Sequence, residues 1–217
     1  MHIKTKITSI ALFALIPQLC FATVGGAERI EVLGYDSKDQ KIFLTRHYED
    51  ASGRLPTLYY YQLNTRHPTQ LIEVKSIYKK IDQRSQVQVE KDFYREMNKI
   101  QSRLVDLKAL KVTKNNLNII DTKIEKGDFW YTSHPDDAFV VHRYTQQYRV
   151  KNGNFQSNIA KSIAYIKPNL KVKMLYSLPQ GKNQNLVQLA IVQYNGIPVE
   201  TGYQKEDPIL LMTQKKR

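Results

Sequence analysis

The stretch SQVQVEKDFYREMNKIQSRLVDL, residues 85–107, decides the fold. Val89, Phe93, Met97, Ile100, Leu104 and Leu107 recur at steps of three and four, the spacing that gathers side chains on one face of an α-helix. Lys91, Arg95, Arg103 and Lys108 fall largely elsewhere. Ser85 with Gln88 three residues later matches a capping box, and the polar run Thr113-Lys114-Asn115-Asn116 closes the segment. One long amphipathic helix is predicted over 85–111. Its apolar stripe has two uses: covering a sheet that has one apolar face, or binding a partner or ligand as a lid.

On both sides of this helix the period drops from about four to two. Upstream, RIEVLGY (29–35), KIFLTRHY (41–48), TLYYYQL (57–63) and QLIEVKSI (70–77) are short β-branched and aromatic runs. Asp36-Ser37-Lys38-Asp39, Ser52-Gly53 and Asn64-Thr65-Arg66-His67-Pro68 punctuate them, which predicts a four-strand antiparallel meander. No second copy follows at a fixed period, so a propeller is not supported. Downstream, strands are predicted at 118–124, 139–150, 155–166, 171–178 and 186–194, with Lys151-Asn152-Gly153-Asn154 as a tight hairpin turn. Pro179-Gln180-Gly181 marks a second turn and Gly196–Glu200 with Thr201-Gly202-Tyr203 a turn-rich loop. The class is α+β: two mostly antiparallel meanders and one central helix, in a single unit over 23–217 with possible subdivisions 23–84, 85–113 and 114–217.

Residues 1–22 have the pattern of a secretory leader. Lys4 and Lys6 form a basic start, IALFALI (10–16) is an apolar run too short to span a bilayer, and Pro17 ends it. Ala22 offers a small residue for cleavage. Cys20 raises the alternative of lipidation, although Gln18 and Leu19 are not the small residues that processing prefers. Cleavage after Ala22 removes the only Cys and leaves a chain with no disulfide, no thiol chemistry and no later apolar run of spanning length. The expectation is a protein exported to a bacterial periplasm or beyond.

Of the 217 residues 33 are Lys or Arg and 20 are Asp or Glu, a net charge of +13. The excess is uneven. Between Asp137 and Glu200 no acidic residue occurs, while Arg143, Arg149, Lys151, Lys161, Lys167, Lys171, Lys173 and Lys182 all do. Strand alternation puts Arg143, Arg149 and Lys151 on one face, with Lys161, Lys171 and Lys173 joining them if the strands are neighbours. Such a surface attracts anions. The partners it suggests are anionic envelope lipid, acidic glycan or an acidic protein surface, and export would keep the chain from intracellular nucleic acid.

Catalytic motifs are sparse. His134-Pro135-Asp136-Asp137 resembles the His-Pro-Asp-Asp signature of zinc-dependent N-acetylglucosamine-type deacetylases. That resemblance implies His134 and Asp137 as zinc ligands and Asp136 as the base that activates a metal-bound water, with His142 as a further ligand candidate nearby. The context departs from that family. The tetrapeptide lies mid-chain, strand-like Ala138-Phe139-Val140-Val141 follows it, Ala138 replaces the usual acid, and no distal paired-His motif is present. His47 and His67 lie in or beside the N-terminal hairpins with one strand between them, distant or adjacent, and a strand His of this kind is usually structural; Phe129-Trp130-Tyr131 reads as a core anchor or a stacking platform. No nucleophile elbow, phosphate-cradling loop or dinucleotide fingerprint occurs, so no cofactor is expected. Three functional readings follow: a non-catalytic binding protein with a basic docking face, a metal-dependent hydrolase, and a carrier holding an apolar ligand between helix and sheet.

Overall fold

The computed structural model describes residues 26–49, 53–78, 85–126, 142–165, 169–179, 187–197 and 203–214. The leader, the His134-Pro135-Asp136-Asp137 motif, Phe129-Trp130-Tyr131 and Glu200 lie outside the described residues. The class is α+β, built as a small sheet, a large sheet and one helix.

Strands β1 (Glu28–Asp36), β2 (Lys41–Tyr48), β3 (Thr57–Gln62) and β4 (Leu71–Glu73) form the expected meander in sequential order. The last predicted strand is shorter than its sequence suggests. After Glu73 the chain turns into a 3-10 segment, Lys75–Ile77, that buries Ile77. Alternation divides the small sheet cleanly. Ile42, Leu44 and Tyr61 point to one side, and Phe43, Leu58 and Tyr60 to the other.

The helix α1 (Gln86–Gln101) lies on the second side, where Phe93 and Met97 pack with Phe43, Leu58 and Ile77. Ser85 caps it, its Oγ accepting from the Gln88 backbone N–H, while the Gln88 side chain turns to Asp92 instead of closing the box. The helix stops at Gln101, six residues before the apolar period ends at Leu107. Val105 exchanges both backbone hydrogen bonds with Tyr35, at 2.8 and 3.0 Å, and Arg103 reaches the buried Asp36 at 2.9 Å. Pairing to β1 pulls the chain out of helix, so Leu104 and Leu107 pack against the cores from beyond the helix end.

The large sheet contains β5 (Lys108–Ala109), β6 (Leu117–Lys126), β7 (His142–Asn152), β8 (Phe155–Ser157), β9 (Ala160–Ala164), β10 (Lys171–Ser177), β11 (Val187–Ile197) and β12 (Tyr203–Thr213). Its order is β5-β10-β11-β12-β8-β7-β6, with β9 also paired to β7. The single strand expected over 155–166 is split: β8 pairs with β12 and β7, and β9 with β7 alone. β12 was not among the strands expected from the sequence. Pro208 is tolerated because β8 pairs only with residues 211–213 of β12, which leaves the Pro208 side of the strand without that neighbour.

The large sheet curls upon itself. Tyr148 and Val150 of β7 meet Val172, Leu175, Ala190, Val192 and Leu211 from β10, β11 and β12 in one interior cluster. The Tyr165 N–H donates to the Gly196 carbonyl at 2.9 Å, drawing the end of β9 back to β11. On the convex side Leu178, Val187, Leu189, Ile191 and Leu210 pack against Ile30, Ile42, Leu44 and Tyr61 of the small sheet. The layers are therefore helix, small sheet and curled large sheet.

Gly34 sets the close approach of β1 to the chain beyond α1. It sits at a register shift in β1 with φ +143, and a Cβ there would lie 2.9 Å from Leu104 Cβ and 3.0 Å from the Val105 carbonyl oxygen. Gly34→Ala is expected to lower unfolding free energy by about 1–3 kcal/mol in urea titrations. An unchanged midpoint would refute the close-approach account.

Candidate functional site

Three places carry enough chemistry to be considered: the cation face of the large sheet, the ionic seam between the sheets, and the hollow under α1. On β7 the even-numbered side chains Gln146, Tyr148 and Val150 are buried inside the curl, so Arg143, Arg149 and Lys151 point outward. Register places Lys161 of β9 opposite Gln147, which adds it to the same outward face. β6 also contributes Asp121, Lys123 and Glu125 there, opposite Gln147, Thr145 and Arg143.

Glu125 receives Arg143 through Nε at 2.8 Å and Nη2 at 2.6 Å, and Lys123 at 2.9 Å. Those bonds, Lys123 first and then Arg143, hold the Glu125 carboxyl below its ordinary value, and Glu125 raises the guanidinium of Arg143. The acid-free run is a property of the linear chain, and an antiparallel neighbour brings carboxylates beside it. Arg149, Lys151 and Lys161 have no carboxylate partner among the described residues, and Arg149 Nε is buried without a hydrogen bond.

Lys171 and Lys173 lie on β10, with three strands between it and β7 along the curl. Lys171 is exposed at the lip of a shallow hollow of about 360 Å³, with Lys114, Val112, Leu117 and Leu170. Lys173 turns inward to an ion pair with Glu206. The six cations thus stand in different settings: four on β7 and β9, one at the hollow, one in the seam.

The seam is the most ionic part of the interior. Glu206 is 2 % exposed and also accepts from the Ile30 backbone N–H at 2.9 Å and Gln193 Nε2 at 3.1 Å. Beside it Asp207 accepts from Arg46 Nη2 at 3.0 Å and Tyr194 Oη at 2.9 Å. Arg46 also pairs with Glu28, which Lys205 approaches at 3.2 Å. Burial would push the Glu28 carboxyl up, but Lys205 and Arg46 outweigh it and hold it low. Burial and the adjacent Asp207 push the Tyr194 hydroxyl up, so it donates and does not ionise. Every acid in this seam is matched by cations or fixed donors, which is the pattern of a joint and not of a reacting group. Sequence reading missed it because half of it lies on β12. The only signal was the acidic pair Glu206-Asp207 ahead of an apolar run.

One His-acid-hydroxyl group is assembled, at Glu31, Thr45 and His47. Its geometry rules out a proton relay. His47 Nε2 contacts both Glu31 Oε2, at 2.7 Å, and Thr45 Oγ1, at 3.0 Å, whereas a relay needs one ring nitrogen for each partner. His142 opens β7 and is exposed, and among the described residues no three His, Cys, Asp or Glu side chains converge as metal ligands. His134, Asp136 and Asp137 lie outside the described residues.

The third place is a cavity of about 490 Å³ between the N-terminal half of α1 and the β3–β4 edge. Leu55, Ile77, Tyr78, Val89 and Phe93 supply its apolar lining, and Arg54, Glu73, Gln86 and Glu90 its polar groups. Tyr78 stacks on Phe93 with ring centroids 5.5 Å apart. Its hydroxyl accepts from the Leu58 N–H at 2.7 Å and donates to the Pro56 carbonyl at 2.6 Å, which fixes the ring at the wall. Burial pushes that hydroxyl up to about 12. Arg54 lies over the Tyr48 ring at 3.5 Å.

The chain matches no family model, no curated protein and no solved structure. No helix among the described residues is long and apolar enough to cross a membrane.

Glu28 gives the seam a pH signature. A carboxyl held below 4.5 in the folded state contributes stability that is full above that pH and is lost as the pH falls through the folded value. The native chain is expected to lose unfolding free energy on acidification below 4.5, and Glu28→Gln to flatten that acid limb. Urea titrations at a series of pH values check this, and identical limbs for both chains would contradict it.

Proposed function

We propose that this protein binds a ligand and does not turn one over, and that the ligand lies in the cavity under α1. The carrying observation is the cavity itself: its volume is in the range of small-molecule sites, and a mainly apolar wall has a few polar groups around it. A ligand with an apolar body and a polar end fits this division, its body against Ile77, Val89 and Phe93 and its end toward Arg54 or the carboxylates of Glu73 and Glu90. The leader-like N-terminus supports a ligand met outside the cytoplasm. Val89→Trp fills the cavity from the helix side and leaves the buried Phe93 itself unchanged. An apolar fluorescent probe such as N-phenyl-1-naphthylamine is expected to bind the native chain and to bind Val89→Trp at least about tenfold more weakly, with the unfolding midpoint retained. Equal binding by the two chains overturns this reading.

A second reading has its own observation, the outward trio Arg149, Lys151 and Lys161, none of which pairs with a carboxylate among the described residues. On this reading the face docks an anionic surface, for which envelope lipid is the source considered. Vesicles rich in phosphatidylglycerol test it. Replacing all three residues by Glu is expected to weaken binding and to remove its salt dependence. Unchanged binding removes the docking face from consideration.

A further inference from the structure

The large sheet ends at β6, and among the described residues no strand pairs with its outer edge. This edge is ten residues long and carries exposed Ile119, Ile120 and Ile124, the last 57 % exposed. A long edge with apolar side chains is a template for another strand. We propose that a second copy of this chain occupies it, the two β6 strands pairing antiparallel about a two-fold axis at Thr122.

The register follows from geometry and charge. In an antiparallel ladder alternate residues point their polar backbone groups at the seam, so facing residues must have the same parity. The axis therefore passes through a residue and not between two. Facing residues also share a face of the joined sheet, where their side chains interact. With the axis at Thr122, Asp121 faces Lys123 of the other copy twice, and Ile120 faces Ile124 twice.

The neighbouring choices are worse. An axis at Asp121 opposes that carboxylate to its own copy. An axis at Lys123 opposes two ammonium groups and also sets Asp121 against Glu125 twice. An axis at Ile124 pairs Lys123 with Glu125, but it leaves Ile120 uncovered. Asp121 makes no ion pair among the described residues, and Lys123 is engaged only by Glu125 beside it. Charges on an edge strand ordinarily repel a foreign strand; in this order they select an identical one. The register shift at Ile119/Asp121 falls at Ile120, the end of the paired segment, and limits how far a ladder propagates.

Sedimentation of the full chain over a wide concentration range tests this. A concentration-dependent dimer is expected. D121K and K123D each place like charges opposite one another at two symmetric points and are expected to weaken association by about tenfold or more, while D121K/K123D restores it. These positions are exposed, so thermal melts should match the native chain. A Thr122→Cys substitution in a Cys20→Ser background puts two thiols across the axis and is expected to give a disulfide-linked dimer under mild oxidation. A chain that stays monomeric, a charge swap no better than its single changes, or absence of the cross-link overturns the proposal.

Discussion

The carboxylate of Glu206 is the constraint on which the arrangement of the sheets depends. It is buried, and an unpaired buried charge is costly enough to change a fold. Three donors from three directions answer it: the Ile30 N–H on the edge of β1, Lys173 on β10 and Gln193 on β11. The Ile30 contact matters most for architecture, because it occupies a backbone donor on the small sheet's edge with a group from the large sheet. Hydrophobic burial between the sheets has no preferred angle or register. The Glu206 contacts and the adjacent Arg46–Asp207 pair supply both.

Much of this architecture was legible in the sequence, for reasons that differ by element. The N-terminal meander and the core of α1 were readable because one periodicity ran unbroken between clear turn signals. The end of α1 was not. Leu104 and Leu107 keep the helical spacing, yet two backbone hydrogen bonds to Tyr35 outweigh one further helical turn. β12 was hidden for the opposite reason. Pro208 reads as a breaker, and only the short reach of β8 along the sheet shows why it is harmless. In both cases the deciding partner is about fifty residues or more away, beyond any local window.

The candidate sites were legible to a lesser degree. Alternation placed Arg143, Arg149 and Lys151 on one face, and the structure puts them there. What alternation could not show was which strand lies alongside. β6 brings Glu125 to Arg143, and Lys173, at a register shift in β10, meets Glu206 across β11. Linear charge runs overstate surface potential whenever an antiparallel neighbour comes from a stretch of different composition. The lining of the cavity was not legible at all. Leu55, Ile77 and Val89 belong to three separate segments, and each reads locally as core.

The position of that cavity follows from how the layers are filled. The interior of the curl is packed around Tyr148, Leu175 and Val192, and the seam between the sheets around Leu44, Leu189 and Ile191. Among the described residues the outer face of the small sheet is covered by α1 and by the 3-10 segment carrying Ile77. The buried residues of α1 are Phe93 and Met97, in its middle and later turns, while Val87 in its first turn is 74 % exposed. Beneath that first turn the sheet has run out, because β4 is three residues long and the chain passes into the 3-10 segment carrying Ile77. A helix that overhangs a truncated sheet leaves its apolar walls apart among the described residues. Filling that space with larger side chains is an easy sequence change, and Leu55, Ile77 and Val89 leave it open.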